Sequence, residues 1–327
     1  MAVEPVKLLE WAVGEDVSDL HMTPGQCIFY RRNGKLFPRA DIKVTEELLS
    51  AVLEIMVTDS QRERLIKNRE LDFSWELNHR RFRGNLYFQR NVMALALRLI
   101  PNRIPSLEEL GASTGLKELF RTQQGFMLVT GRAGSGKSTT IAAFLKELMA
   151  HRFVHLLTLE DPIEFLHSSE GSFISQRELG RDFNSFPGAL RNALREMPDI
   201  ILVGEIRDPD TMQMALEAAS TGIFVLGTLH TRGAAETAMR VESLFPLDQR
   251  DAIRDRFADV FTGIFSQCLL PSAGGGRVCA TEVLLSTPAA RNLIRQGKYN
   301  QLVSLMMSSP GMNTMEQAIK GLGKRIE

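Results

Sequence analysis

The stretch GRAGSGKST at residues 131–139 has the residue types and spacing of a phosphate-binding loop. Glycines allow such a loop to curl until its backbone N–H groups face the oxygens of a phosphate. Lys137 would neutralise the β- and γ-phosphate oxygens, and Ser138 would ligate Mg²⁺, so the loop predicts binding of ATP with Mg²⁺. The predicted nucleotide contacts are Gly131, Ala133, Gly134, Ser135, Gly136, Lys137, Ser138 and Thr139.

A glycine-rich turn without a ligand is the alternative interpretation of this loop. The apolar run GFMLVT precedes the loop, and the helical pattern KSTTIAAFLKELMA follows from its lysine onward. A strand before the loop and a helix after it are the context in which such loops bind phosphate. The surroundings therefore favour a nucleotide site.

A second candidate for chemistry is the end of the stretch DIILVGE, at residues 199–205. Many ATPases with a phosphate-binding loop have a metal-binding Asp followed by Glu at the end of such a strand, and here Gly204 precedes Glu205. Glu205 is predicted to polarise the attacking water. The alternative is a surface or helix-capping glutamate. Because Gly204 has no carboxylate, other residues must complete the Mg²⁺ shell.

Three acidic residues in TLEDPIEF are candidates for that missing carboxylate. Glu160, Asp161 and Glu164 follow the apolar run VHLLT at the end of another predicted strand. Glu160 and Glu164 are predicted catalytic residues, and Glu160 and Asp161, with Ser138, are predicted metal ligands. A solvated acidic loop is the alternative, and the pattern leaves open how the three acids divide these roles.

His230 ends the apolar run IFVLGTLH. A single histidine at a strand end is usually a polar group with an ordinary hydrogen-bond partner. At the edge of the sheet that binds the nucleotide, however, it could contact the γ-phosphate or Glu205. We therefore predict that His230 senses the γ-phosphate.

The elements that must position these residues form an α/β pattern after about residue 115. The runs GFMLVT, VHLLTLE, DIILVGE and IFVLGTLH alternate with helical stretches and are continuously apolar, as is typical of parallel strands buried on both faces. Ligands bind at the carboxyl ends of such strands. The sequence therefore predicts that the four motifs meet at one edge of a parallel sheet.

The first hundred residues predict a smaller α+β domain with a mostly antiparallel sheet. Asn33-Gly34 is a predicted hairpin turn, and residues 45–66 are predicted to be one helical stretch. IPNRIPS at residues 100–106 contains two prolines and predicts an extended hinge. The expected organisation is an amino-terminal domain at 1–100, a linker at 101–113 and an ATPase domain at 114–327. Near the end of the chain, Asn313 and Glu316 are predicted to cap a helix.

Composition excludes some classes of function. The 327 residues include 39 basic and 39 acidic side chains, and 7% are aromatic. This balance argues against general binding of nucleic acid or of a membrane surface. No apolar run is long enough for a membrane span, and three scattered cysteines predict neither a disulfide framework nor a zinc site. The expected setting is the cytoplasm.

In their order and spacing, GRAGSGKST, TLEDPIEF, REMPDIILVGEIRD and GTLHT resemble the motifs of the secretion ATPases. SDLH near the start and ARNLIRQ near the end resemble the PilT-like ATPases, which retract type IV pili. The assembly ATPases of this superfamily contain a four-cysteine zinc module, which three scattered cysteines cannot form. The ARNLIRQ stretch departs from its motif by losing an Ile and a Glu, but it retains Arg291 and Arg295.

The resemblance implies a RecA-like, parallel-sheet ATPase domain preceded by a smaller PAS-like α+β domain. It further implies a homo-hexamer at the cytoplasmic face of the bacterial inner membrane, where rotation about the hinge converts ATP hydrolysis into work. The expected partners are an inner-membrane pilus platform protein and a paralogous retraction ATPase, with neither nucleic acid nor direct membrane insertion.

Arginines that complete the site of a neighbouring subunit are also implied by the resemblance. Arg83 and Arg98 match the family patterns RFR-x5-Q and LR-x-IP and are the first candidates for this catalytic role, with Arg195 and Arg207 behind them. Such residues would neutralise charge on the transferring phosphoryl group. The alternative is that these arginines only keep exposed strand faces soluble.

Three other functions compete with retraction. One is pilus assembly or type II secretion, and another is a RecA-like motor that translocates nucleic acid, although the sequence has no conspicuous basic groove or aromatic stacking platform. The third is an accessory subunit that binds ATP without hydrolysing it. The presence of every predicted catalytic residue argues against this last alternative.

Overall fold

The strands form two sheets, one of six strands and one of seven, within the residues that this computed structural model describes. Those residues are 4–15, 17–32, 35–78, 80–100, 103–111, 114–168 and 171–326. Each sheet belongs to one of two units, Met1–Arg103 and Ile104–Glu327.

The first unit has an α+β architecture, as predicted. In chain order its elements are α1 (Pro5–Gly14), β1 (Asp19–Met22), β2 (Cys27–Arg32), β3 (Lys35–Lys43), α2 (Glu46–Met56), α3 (Asp59–Asn68), β4 (Glu70–Leu77), β5 (Arg80–Gln89) and β6 (Val92–Leu99). The sheet has the order β3-β2-β1-β6-β5-β4, and every neighbouring pair is antiparallel. The predicted turn at residues 33–34, between β2 and β3, lies outside the described residues.

The single helix predicted over residues 45–66 is wrong, because the chain forms α2 and α3 there. Val57 has an extended backbone, and Thr58 then caps α3. The Thr58 side chain accepts from the backbone of Gln61, whose side chain accepts from Thr58 in return. This reciprocal capping box begins a new helix inside a pattern that is otherwise continuously helical.

The second unit begins with the elements that surround the phosphate loop. They are α4 (Thr114–Glu118), β7 (Gly125–Thr130), α5 (Lys137–His151), β8 (His155–Glu160), β9 (Phe173–Glu178), α6 (Phe186–Ala193), β10 (Ile200–Val203), α7 (Pro209–Ser220), β11 (Phe224–Leu229) and α8 (Ala234–Ser243). The remaining elements are α9 (Arg250–Val260), β12 (Phe261–Pro271), β13 (Arg277–Leu285), α10 (Pro288–Arg295), α11 (Tyr299–Ser308) and α12 (Met315–Leu322).

The predicted parallel strands are β7, β8, β10 and β11, and all four lie in one sheet of order β13-β12-β7-β11-β10-β8-β9. Every residue of β7, β10 and β11 is buried, which explains why these strands are continuously apolar. All pairs are parallel except β12 with β13, which is antiparallel. The strands β9, β12 and β13 were not predicted.

Two stretches differ in detail from the expectation. Ile104 and Leu107, inside the predicted linker, are buried in the hydrophobic core of the second unit, where the Leu107 N–H donates to Glu147. At α12, Thr314 and Gln317 form the capping box that was predicted for Asn313 and Glu316. The Asn313 side chain instead donates to the carbonyl of Thr281 on β13, which leaves the next residue to cap the helix.

Among the described residues, none of the helices combines the length and the apolar character that a membrane span requires.

Candidate nucleotide site

The phosphate loop lies between the end of β7 and the start of α5, as its sequence predicts. Gly131 has a φ of 142° and Gly136 a φ of 88°, values that residues with a side chain rarely adopt. At Gly131 there is also no room for a side chain, since a Cβ would lie 2.5 Å from the Gln267 carbonyl oxygen. The loop therefore needs its glycines to pass this close to β12.

Lys137 is folded back onto its own loop. Its ammonium Nζ donates to the carbonyl oxygens of Gly131 and Arg132 at 2.7 and 3.2 Å, and lies 3.4 Å from His230 Nδ1. Burial lowers the pKa of Lys137, while the charges of Glu205 and Glu164 act in the opposite direction. The lysine thus has partners at hand for all three of its protons.

His230 lies between the loop and Glu205. An ammonium group can only donate, so the ring nitrogen that faces Lys137, Nδ1, must present its lone pair. The proton is then on Nε2, which lies 3.1 Å from Glu205 Oε1. This tautomer links the phosphate-loop lysine to the carboxylate through one imidazole ring.

Both carboxylate oxygens of Glu205 have partners. Oε1 faces His230, and Oε2 accepts a hydrogen bond of 2.7 Å from Arg207 Nη2. Burial would raise the pKa of Glu205, but the hydrogen bonds from Arg207 and His230 and the charge of Arg207 outweigh it and lower the pKa. The group is therefore an ionised carboxylate at neutral pH.

Glu160, at the end of the neighbouring strand β8, is in a different environment. Its side chain is buried, and its Oε1 accepts from the Thr158 hydroxyl at 2.7 Å and from the Gln176 amide at 3.2 Å. Burial raises the pKa of Glu160 to about 7, although these two hydrogen bonds act to lower it. Close to neutral pH this carboxyl group is therefore partly protonated, whereas Glu205 stays ionised.

The close packing around Gly204 explains why the strand before Glu205 ends without a metal-binding carboxylate. A Cβ at Gly204 would lie 3.1 Å from both the Glu160 Cα and the Leu159 carbonyl oxygen. The Gly204 N–H donates to that same Leu159 oxygen at 2.7 Å, so the two strand ends are held close together. Glu160 from β8 therefore occupies the neighbourhood that a side chain at residue 204 would need.

The other two predicted acids also lie at this edge. The Glu164 backbone N–H is 3.4 Å from Glu160 Oε2, and the charge of Glu164 acts on Lys137. Asp161 is exposed, and its charge adds to the hydrogen bond and charge of Glu205, which raise the pKa of Arg207. A small pocket lies beside these groups, lined by Ser138, Ile141, Ala142, Glu160, Glu164, Phe165, His167, Leu202, Gly204 and Thr228.

Comparison with known proteins assigns this arrangement to a family. The sequence profile of the family described as "Type II/IV secretion system protein" matches residues 5–273 of the chain. The chain belongs to this family.

Within the family it is of the PilT type. It is 41% identical over 320 residues to the type IV pilus retraction ATPase PilT of Pseudomonas aeruginosa, a match that covers 97% of this chain and 93% of that protein. It is 43% identical over 319 residues to the uncharacterized protein YggR of Escherichia coli, covering 95% and 96%. A crystal structure of the pilus retraction motor PilT with bound ADP aligns with a TM-score of 0.92 at 40% identity, covering 99% of this chain and 94% of the other.

The loop of this PilT-type ATPase has the features that a phosphate requires. The Ser135 hydroxyl oxygen is buried without a hydrogen-bond partner among the described residues. Backbone N–H groups at the start of α5 and the Lys137 ammonium provide further donors. An unpaired buried hydroxyl beside a helix start fits a phosphate oxygen as its partner.

Mg²⁺ would need ligands from the nucleotide as well as from the protein. The described residues contain no cluster of three or more His, Cys, Asp or Glu that could hold a metal ion alone. Mg²⁺ is usually bound by one or two protein groups together with phosphate oxygens and water. Ser138 and Glu160 line one pocket and fit that pattern, whereas Asp161 does not line it.

The predicted trans-acting arginines belong to the first unit. Arg83 on β5 and Arg98 on β6 are paired in register. Arg98 is 68% exposed and donates to Asp19 Oδ1 at 2.9 Å. Together with Ser18, it lowers the pKa of Asp19 against the effect of burial. The exposed guanidinium therefore has one local partner and remains open to a second.

The other arginines have varied environments. Arg207 contacts Glu205, whereas Arg195 lies 3.3 Å from Asn192 on its own chain segment. On α10, Arg295 forms ion pairs with Asp255 and Asp259 of α9, and Arg291 contacts Ser286. Only Arg207 of this group is in contact with a predicted catalytic residue.

Three residues at the site were not predicted from the sequence. Thr158 and Gln176 hold Glu160, and the side-chain oxygen Oε1 of Gln176 also accepts from the His167 backbone N–H at 2.8 Å. Thr158 could have been found, because residues two apart in a strand share a face. His167 lies two residues after the acidic motif, but Gln176 comes from β9 and shows no sequence signal.

Proposed function

We propose that this chain is a motor ATPase that couples ATP hydrolysis to retraction of a type IV pilus. The observation that supports this most strongly is the contact chain from Lys137 through His230 to Glu205. It joins the phosphate loop to the candidate catalytic carboxylate across three strand ends of one sheet. The extent of the similarity to PilT supports retraction as the work performed.

Lys137 detects the arrival of the phosphates. Its protons point to two loop carbonyl oxygens and to His230 Nδ1, and an anionic phosphate competes for the same protons. Drawing the ammonium toward the phosphate weakens its contact with His230. The imidazole then responds to nucleotide binding, which is the sensing role predicted for it.

Glu205 orients the attacking water. Because its carboxylate is ionised, it accepts a hydrogen bond from water and favours the hydroxide character that develops as the water attacks. Arg207 and His230 hold the two oxygens in a fixed plane. A water molecule that takes the place of Arg207 or His230 on a Glu205 oxygen is then held in one orientation, facing the phosphate loop.

Ser138 and Glu160 hold the nucleotide's Mg²⁺ in this proposal, with Asp161 and Glu164 as the nearby acids. When bound, Mg²⁺ neutralises charge on the phosphate oxygens. The Thr158 hydroxyl and the Gln176 amide fix the direction in which Glu160 presents its carboxyl group. Burial keeps that carboxyl partly protonated until a cation approaches.

The assembly in which the chain works is inferred from its similarity to PilT. We infer a homo-hexamer in which Arg83 and Arg98 contribute charge to the site of the neighbouring subunit. We place it at the cytoplasmic face of the inner membrane, where a pilus platform protein receives the mechanical work and a paralogous ATPase joins it. The similarity to the PilT ATPase and to the PilT retraction motor supports this assembly.

The test is the piliation of cells that lack the gene. A retraction motor predicts cells with more surface pili than the parent strain and no twitching motility, and the wild-type gene should restore both properties. A Glu205→Gln gene expressed at the same level should restore neither. A Gly274→Ala gene, altered in a hairpin where an added Cβ meets nothing within 4 Å, should act as wild type.

Each alternative predicts a different outcome of the same experiment. Cells without pili would contradict retraction and indicate an assembly ATPase. Normal piliation and motility would contradict any essential motor role in that pilus system. Full rescue by the Glu205→Gln gene, together with loss of ATP turnover in the purified Glu205→Gln protein, would show that the chain acts without hydrolysing ATP, as an accessory subunit would.

A further inference from the structure

A cluster of four buried hydroxyl groups lies behind the phosphate loop, and the mechanism above does not use it. Its members are Thr130, Thr231, Thr237 and Ser266. Thr130 is the last residue of β7 before the loop, and Thr231 directly follows His230. Thr237 lies on α8 and Ser266 on β12.

Thr237 is the centre of this hydroxyl cluster. Its Oγ1 lies 2.7 Å from Thr231 Oγ1 and 3.3 Å from Thr130 Oγ1. It also donates to the Gly233 carbonyl oxygen at 2.7 Å. A hydroxyl has one proton, and that of Thr237 faces two acceptors, the Gly233 carbonyl oxygen and Thr130 Oγ1. The closer Gly233 oxygen takes the proton, so the Thr231 hydroxyl must donate to Thr237.

The remaining contact fixes the cluster to the sheet. Thr130 and Ser266 are opposite each other in the parallel pair β7 and β12, and their hydroxyl oxygens are 2.7 Å apart. Thr130, Thr237 and Ser266 have no measurable exposure, and Thr231 is 8% exposed. Water therefore cannot replace a lost partner without a rearrangement of the surrounding side chains.

We propose that Thr237 is a positioning residue for ATP hydrolysis, and this inference rests on the function proposed above. Its hydroxyl joins the residue before the phosphate loop to the residue after His230. It thereby sets the separation between Lys137 and His230, the first contact in the chain that ends at Glu205. Thr237 touches neither nucleotide nor water and acts only through these neighbours.

A purely structural role for Thr237 predicts a different result. If the hydroxyl only stabilised α8, its loss would lower the melting temperature and leave turnover per folded enzyme unchanged. If it positions His230, its loss would lower kcat more than it changes KM for ATP, because misplaced groups act mainly in the transition state. Returning the hydroxyl on a smaller side chain should then restore kcat.

The experiment compares ATP turnover and thermal unfolding of purified variants of the whole chain. Thr237→Val keeps the shape of the side chain and removes the hydroxyl, and Thr237→Ser keeps the hydroxyl. Thr314→Val is the matched control, because Thr314 is also a buried threonine whose hydroxyl caps α12. Thr231→Val removes the same contact from the other side, should Thr237→Val fail to fold.

We expect Thr237→Val and Thr231→Val to lower kcat roughly tenfold while KM for ATP changes less than about twofold. Thr237→Ser should keep at least half of the wild-type kcat. Thr314→Val should melt at a lower temperature with kcat unchanged.

Two results would overturn the inference alone: an unchanged kcat in Thr237→Val and Thr231→Val, or an equal loss in Thr237→Ser. A fall in kcat for Thr314→Val that matched the fall for Thr237→Val would also overturn it, since stability loss would then explain both. Wild-type protein that does not hydrolyse ATP would refute the proposed function and this inference together. Failure of the inference alone can therefore be distinguished from failure of the proposed function.

Discussion

His230 Nε2 lies 3.1 Å from Glu205 Oε1, although the two residues follow different strands of the sheet. The strands β10 and β11 are parallel neighbours, so their carboxyl ends deliver both side chains to one edge. Lys137 reaches the other ring nitrogen from the start of α5, which follows the third strand in this row, β7. The neutral imidazole ring of His230 therefore contacts Lys137 and Glu205 at once, so a movement of the lysine changes the hydrogen bonding of the carboxylate.

The first prediction concerns Lys137. Lys137→Ala should retain the fold, because among the described residues the ammonium donates to two loop carbonyl oxygens and faces His230, and none of these contacts lies in the hydrophobic core. It should weaken ADP binding and lower ATP turnover more than about hundredfold, since the ammonium is the charge expected to neutralise the β- and γ-phosphate oxygens. The exposed Lys117 on α4 provides the control: Lys117→Ala should bind ADP and turn over ATP as the wild type does. Equal ADP affinity in both variants would contradict the role of Lys137.

The second prediction concerns the close approach of Gly204 to Glu160. Gly204→Ala places a methyl group 3.1 Å from the Glu160 Cα, so β8 and β10 must separate by a few tenths of an ångström. We expect a stability loss of about 1–3 kcal/mol, typical of overpacking, together with lower ATP turnover. Gly274→Ala should change neither quantity, since its added methyl meets nothing within 4 Å. Chemical denaturation and steady-state ATP turnover of both variants measure these quantities. A Gly204→Ala protein with wild-type stability and turnover would show that the approach of residue 204 to Glu160 leaves room for a methyl group.

The third prediction concerns pH and His167. Burial lowers the pKa of His167 from 6.5 to about 4, and its Nδ1 is buried without a partner among the described residues. As the pH falls below 6.5, the unfolded chain takes up a proton that the folded chain refuses until about pH 4. The folded state therefore loses stability across that window, by up to about 2 kcal/mol from this group at pH 5.

His167→Gln removes that titration and should lose correspondingly less stability between pH 7.5 and pH 5. Urea denaturation of the whole chain at both pH values measures the difference. The control is His155→Gln, which changes a histidine at the opposite end of β8. If wild type and His167→Gln lost the same stability over this range, the imidazole would have to be accessible to protons in the folded state.

The sequence was most informative where one physical constraint determined the residue type. Strands buried on both faces must be apolar throughout, so β7, β8, β10 and β11 were recognisable, and parallel strands must end at one edge, so the grouping of Glu160, Glu205 and His230 could be predicted. The glycines of the phosphate loop were recognisable for a similar reason, since Gly131 has no space for a side chain.

Other features depend on tertiary contacts that leave no local pattern. Gln176 was not predicted, because its partner Glu160 lies on another strand and glutamine on a partly exposed strand looks ordinary. The break between α2 and α3 was missed because a capping box at Thr58 begins a helix within an already helical pattern. The Thr237 contacts join β7, the segment after β11 and α8, and isolated threonines do not reveal such a cluster.

The fourth prediction separates two roles for Arg98. If Arg98 serves only its ion pair with Asp19, then Arg98→Ala and Asp19→Asn should both have small effects on kcat, because the pair would then contribute only to the stability of the first unit. If it completes the site of a neighbouring subunit, Arg98→Ala should lower kcat about hundredfold or more, while Asp19→Asn leaves kcat within about twofold.

ATP turnover of the assembled protein distinguishes these two roles, and ADP binding to each variant confirms that the site has formed. A mixture of Arg98→Ala with Lys137→Ala protein adds a second test. Subunits with an intact phosphate loop should regain activity only beside a neighbour that retains Arg98. Absence of any recovery in mixed assemblies would contradict the trans-acting role.

The most direct test of the proposed catalytic site is the ATP turnover of purified Glu205→Gln protein, with ADP binding measured on the same preparation. Glutamine keeps the size of the side chain but is a much poorer acceptor for a proton from water. The site described here predicts ADP affinity within about threefold of wild type and a kcat lowered at least about hundredfold. Wild-type turnover in Glu205→Gln would contradict it and exclude Glu205 as the group that orients the attacking water.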